Sequence, residues 1–191
     1  MKFFLLLMMS VSTVGATEFK EFQPASSSVT FVSKQMGVPV EGRFKKFAAQ
    51  IAFDLTKPEK STAKIDIEMA SIDTGSAEVN SEVATVGWFN TKTFPQANFV
   101  SGGLKKIDAT HFQAVGKLTI KGKTRDINAP FTVNQQADRL VLEGNLPIRR
   151  GDFAIGSGIW ADSDVVAEEV QIRFRLIVAA PSSSTQPKKG K

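Results

Sequence analysis

The sequence predicts an all-β protein, an antiparallel barrel or sandwich, and three observations carry that prediction. Apolar residues recur at every second position through many short segments, the period of a strand with one dry face and one wet face. Turn-rich pieces such as Thr56-Lys57-Pro58, Gly102-Gly103 and Lys121-Gly122-Lys123 separate those segments. The segments also follow one another closely, as in antiparallel sheets and unlike a parallel sheet with crossover helices.

In chain order the predicted strands cover residues 29–34, 50–55, 63–69, 112–120, 127–133, 140–148 and 170–176. The third is the cleanest: Ala63, Ile65, Ile67 and Met69 share one face, and Lys64, Asp66 and Glu68 share the other. The last repeats the pattern, with Val170, Ile172, Phe174 and Leu176 alternating with Gln171, Arg173 and Arg175. Residues 118–133 read as two strands joined by the Lys-Gly-Lys turn.

Residues 76–87 depart from this period. Val79, Val83 and Val86 fall at helical spacing, Ser76 is placed to cap, and acids occupy the first turn, which predicts a short helix or helical loop between two halves of the sheet. Residues 88–99 follow, with four aromatics in twelve positions that pack the end of a barrel or line its mouth.

The two ends differ from this middle. MKFFLLLMMSVSTVGA has one Lys, an apolar run too short to span a bilayer, and a small-residue end, which predicts a signal peptide over residues 1–16 and a periplasmic mature chain. Residues 181–191, PSSSTQPKKGK, read as a disordered basic tail. One domain, residues 17–180, is expected between them.

Most of the formal charge of +5 sits in these ends: without Lys2, Lys188, Lys189 and Lys191, 20 basic residues face 19 acids. A nearly neutral domain does not track phosphates, so nucleic acid is not an expected partner.

Catalytic chemistry has little to stand on. There is no Cys, which excludes disulfides, thiolate metal sites and lipidated cysteines. His111 is the single His, and no nucleophile-elbow pattern accompanies it; Gly156-Ser157-Gly158 has the wrong spacing. Asp162, Asp164, Glu168 and Glu169 offer hard oxygen donors, but without the Gly and spaced Glu of a calcium loop they read as a solvated acidic loop near Arg149 and Arg150. No catalytic residue, metal ligand or cofactor is assigned, and the chain is expected not to be an enzyme.

Fifteen Phe, two Trp and no Tyr make an interior with few polar demands. A barrel of eight strands either fills that interior with side chains or leaves room for one ligand, and composition leaves both open.

Several stretches resemble the YceI-like family of bacterial periplasmic proteins: Val40-Glu41-Gly42-Arg43-Phe44, Ser71-Ile72-Asp73-Thr74-Gly75, Phe94-Pro95-Gln96-Ala97-Asn98-Phe99, Val115-Gly116-Lys117-Leu118-Thr119-Ile120, and residues 144–156 with Trp160 and Asp162 behind them. The resemblance covers residues 22–178. It implies a lipocalin-like eight-stranded antiparallel barrel with a short helical insertion, hollow and holding a polyisoprenoid lipid such as a long-tailed quinone or prenyl phosphate. One departure stands out: many members carry an Arg-Asp pair after the Ser-Ile-Asp-Thr-Gly stretch, where this chain reads Asn80-Ser81-Glu82.

The expected function is binding, storage or transport of that lipid in the periplasm without transforming it. Strand phase nominates Phe31, Phe44, Phe53, Ile65, Ile67, Phe99, Leu118, Ile120, Phe131, Leu146 and Phe153 as lining, with Trp88 and Trp160 near an opening. Expected partners are the polyisoprenoid or quinone-like lipid, with transient inner-membrane protein contacts and a homodimer compatible with the same reading. The alternative is a barrel filled by its own side chains, an interaction or stress-response protein acting through its surface or tail.

Overall fold

The computed structural model describes residues 18–181. The expected leader, residues 1–16, and all but the first residue of the expected tail, 181–191, lie outside the described residues.

Among the described residues there are twelve strands: β1 (Glu18–Phe19), β2 (Glu21–Phe22), β3 (Ser28–Gln35), β4 (Val38–Phe44), β5 (Phe47–Asp54), β6 (Thr62–Glu68), β7 (Ile72–Asp73), β8 (Gln96–Lys106), β9 (His111–Ile120), β10 (Lys123–Gln136), β11 (Arg139–Arg149) and β12 (Glu169–Ala179). Their order in the curled sheet is β1-β5-β6-β8-β9-β10-β11-β12-β3-β4-β7, with β2 on β12, and the pairings are antiparallel.

Closure of this sheet comes from the chain itself. β4 and β5 lie toward opposite ends of the hydrogen-bonded path, yet only Lys45 and Lys46 separate them in sequence. Residues 38–54 are therefore one bent strand whose first half pairs with β3 and second half with β6. Counted this way, eight strands surround the interior. Buried Ser71 fixes the bend: its Oγ accepts from Lys46 N at 3.0 Å and donates to Glu68 O at 2.7 Å, and its carbonyl accepts from Lys45 N at 3.0 Å.

Alternation sets the inner face. Phe112, Ala114, Leu118 and Ile120 on β9, Ile127, Ala129, Phe131 and Val133 on β10, and Leu140, Leu142, Leu146 and Ile148 on β11 belong to one apolar cluster. Two hairpin tips lie at the same end of the barrel, Met36-Gly37 and Lys121-Gly122. Both residues of each have positive φ (48° and 79°, 48° and 70°), the backbone of a two-residue type I′ turn in which Gly is the second residue.

Two sequence expectations need correction. Gly102-Gly103 is not a turn; it lies inside β8, where the register to β9 shifts between Ser101 and Gly103 as a bulge that bends the strand. The helix α1 spans Ala77–Val83 and not residues 76–87. Ser76 does cap it, accepting from Val79 N at 3.3 Å. Val83 is buried, whereas Val86 lies beyond the helix and is 72% exposed.

Candidate ligand-binding cavity

The barrel is hollow. An outer chamber of about 850 Å³ opens between α1, the β3–β4 hairpin and the β11–β12 connection. An inner chamber of about 110 Å³ continues below it. Val29, Ile65, Ile67, Phe99, Leu118 and Ile172 line both chambers and form the waist between them.

Of the expected lining, Phe31, Phe44, Ile65, Ile67, Phe99, Leu118 and Ile120 border the outer chamber, together with Trp88 and Trp160 near the opening. Phe53, Phe131 and Leu146 border the inner one. Phe153 lines neither. β11 ends at Arg149, and a 3-10 turn, Arg150–Phe153, breaks the period-two phase from which Phe153 was placed; its ring is buried in the apolar cluster instead.

Other lining residues escaped the sequence reading. Val29, Ile51, Ala114 and Leu142 share strand parity with nominated residues, and Leu176 lies on the apolar face of the last predicted strand, so their signal was available. Phe89, Ile155 and Val166 come from irregular segments, where no period marks them.

Three glycines keep the bore open. Gly42, Gly116 and Gly144 sit on strands, and the ring of Phe31, Phe99 or Phe174 respectively occupies the space where a Cβ would project. Phe31 and Phe174 are the direct cross-strand partners of Gly42 and Gly144. Each large ring thus lies over a bare stretch of wall.

A polar frame holds the mouth. The buried Arg150 guanidinium donates to six backbone carbonyls: Nη1 to Ile155 (3.0 Å) and Gly156 (2.8 Å), Nη2 to Val166 (2.8 Å), Ala161 (3.3 Å) and Asp162 (3.5 Å), and Nε to Ala167 (3.2 Å) as well as Val166 (3.3 Å). It does not serve mainly to neutralise acids: the Glu168 carboxylate stands 4.0 Å from Nε and accepts from Gly151 N at 3.0 Å. Lys121 Nζ donates to Val86 O (2.8 Å) and Ala154 O (2.6 Å), and partial burial pushes its pKa down. Trp160 Nε1 donates to Glu82 Oε1 at 2.9 Å, tying the 158–160 turn to α1, and the Trp88 and Trp160 rings stand 5.8 Å apart.

The departing stretch Asn80-Ser81-Glu82 takes part in this frame. Asn80 Oδ1 accepts from Thr74 N (2.9 Å) and Thr74 Oγ1 (2.8 Å), fixing α1 to the end of β7. Ser81 Oγ donates to Ala77 O at 2.9 Å, and Glu82 receives Trp160. Two lining polar atoms, Ser33 Oγ and Trp88 Nε1, are buried without a hydrogen-bond partner.

His111 and the acidic loop are built into turns. Asp108 accepts from Thr110 N (2.9 Å), His111 N (2.8 Å) and the His111 ring, and these bonds, the Thr110 amide first, hold its pKa down to about 2. Asp162 Oδ1 accepts from Asp164 N at 2.9 Å.

A bent-strand barrel, a waist and a helix-framed mouth make a specific architecture to compare. A YceI-like domain matches residues 21–178. The chain belongs to the YceI-like family. YceI of Escherichia coli O157:H7 is 28% identical over 171 residues, 85% of this chain and 89% of that protein. The crystal structure of BcnA from Burkholderia cenocepacia is 44% identical with a TM-score of 0.81, covering 82% of this chain and 99% of that one. A polyisoprenoid-binding domain from Saccharophagus degradans, 19% identical, shares the fold with a TM-score of 0.65 over 87% of this chain and 99% of its own.

Proposed function

We propose that this chain is a non-enzymatic periplasmic carrier or reservoir that holds one polyisoprenoid lipid, quinone-type or prenyl phosphate, with its tail in the barrel. The observation that carries the reading is the cavity of about 850 Å³, within the range of sites that enclose a small ligand. Its walls are mostly aliphatic and aromatic, so a hydrocarbon tail gains roughly 25 cal/mol for each Å² removed from water and needs few polar contacts. The polar atoms gather at the mouth, where a headgroup would sit. The ligand class follows the structural neighbour from Saccharophagus degradans, itself a polyisoprenoid-binding domain. The two chambers of the interior support this reading over the alternative of a side-chain-filled barrel.

The test is native mass spectrometry of the protein purified from the periplasm, with organic extraction of what it carries. A stoichiometric isoprenoid is the expected result. A bare mass that stays bare after incubation with prenyl quinones and prenyl phosphates overturns the reading.

A further inference from the structure

The tunnel is blind. Phe53 on β5, Phe112 on β9 and Phe131 on β10 meet at its inner end, with ring centroids 5.4 Å apart for Phe53–Phe112, 6.3 Å for Phe53–Phe131 and 5.7 Å for Phe112–Phe131. Phe53 is 0%, Phe112 1% and Phe131 7% exposed. In the strand order β5 and β10 lie four places apart, on opposite walls of an eight-stranded barrel, so a contact between Phe53 and Phe131 spans the bore. Beside Phe53, its cross-strand partner Phe19 belongs to the same apolar cluster and is 2% exposed.

We propose that this aromatic floor measures the isoprenoid tail, so that the distance from mouth to floor selects chain length. The inference rests on the lipid-binding reading above. A tail that reaches the floor fills the inner chamber and gains its dispersion contacts; a shorter one leaves that chamber empty and forfeits them. A longer one leaves the isoprene units next to its headgroup in water at the mouth, losing the burial that the surrounding lipid phase offered them. Selection therefore has an optimum. Ala114 and Ala129 line the inner chamber with minimal side chains and set the space above the floor.

The experiment offers the full chain an equimolar series of quinones with graded isoprenoid tails, presented in neutral phosphatidylcholine vesicles, and reads the bound masses by native mass spectrometry. Wild type should retain one tail length with neighbours on either side depleted. Phe131→Ala should move the maximum at least one isoprene unit longer, and Ala114→Leu, which fills the inner chamber from the wall, at least one unit shorter. The two variants act in opposite directions, and either one that folds decides the matter. A maximum that stays in place in a folded variant overturns the measuring role, as does a wild type that binds all lengths equally; in both cases the lipid-binding reading stands. A wild type that binds no member of this series, nor of a matching series of prenyl phosphates, overturns that reading and this inference with it.

Discussion

The ring of Phe31 on β3 occupies the place where its cross-strand partner on β4, Gly42, would carry a Cβ. Glycine here is demanded by space, because the neighbouring ring needs the wall beneath it. Gly42→Ala should push that ring toward the bore, lowering stability by about 1–3 kcal/mol as overpacking does. Urea unfolding checks the first effect, and the amount of lipid co-purifying with the variant checks the narrowing. A variant with unchanged stability and loading would show that the ring has somewhere else to go.

Arg150 gives a second expectation. Its planar fork serves carbonyls from both limbs of the β11–β12 connection, a geometry that a lysine ammonium does not reproduce. Arg150→Met should cost about 3–5 kcal/mol, because buried carbonyls lose their donors. Arg150→Lys should recover only part of it. Amide hydrogen exchange across residues 150–168 should rise in both variants before exchange elsewhere does.

Ser33→Ala runs the other way. The hydroxyl is buried without a partner, so its removal should raise the stability of the lipid-free protein by about 1 kcal/mol, read from thermal unfolding. Destabilisation instead would mean that the hydroxyl finds a partner in solution.

The Asp108 turn should respond to acid. Its folded pKa, about 2, lies below the ordinary 3.8, so folding favours the ionised form. That contribution is present above the ordinary value and disappears as pH falls through about 2. Asp108→Asn should make the urea midpoint less sensitive to acidification between pH 5 and pH 2.5. An unaltered acid limb would place the sensitivity elsewhere, for example at Asp73, whose pKa the Gly75 amide and then the Arg43 side chain push down.

Trp88 and Trp160 are the chain's two tryptophans, and both border the outer chamber. Lipid entry should therefore change intrinsic emission, and Trp88→Phe or Trp160→Phe should each remove part of the change. Trp160→Phe also breaks the bond to Glu82 and should increase exchange in α1.

Much of the barrel was legible because burial alternates with the backbone. Ile65, Ile67, Leu118 and Ile120 could be placed on the inner face from parity alone, and the cap of α1 from Ser76. Phe153 could not, since a 3-10 turn intervenes between the last strand residue, Arg149, and the ring. Nor could the burial of Arg150: its carbonyl partners lie as many as 17 positions away and every residue has a carbonyl, so no side-chain pattern announces them. The division into strands on either side of Lys45-Lys46 was hidden for a related reason, because the bend depends on Ser71, 25 positions later.

The short N-terminal strands have a consequence for association between molecules. β3 leaves β12 after Arg175, and β2 takes up Val178 and Ala179; β1 likewise covers Phe53 and Asp54 on the outer side of β5. Phe22 locks this segment down with its ring 6.0 Å from that of Phe47. Without residues 18–22, the amides and carbonyls at these positions would become two raw sheet edges facing one another across a gap, each a template for a strand from another copy. These five residues act as a guard against polymerisation, and a chain trimmed to Gln23 should lose that protection even where its cavity survives.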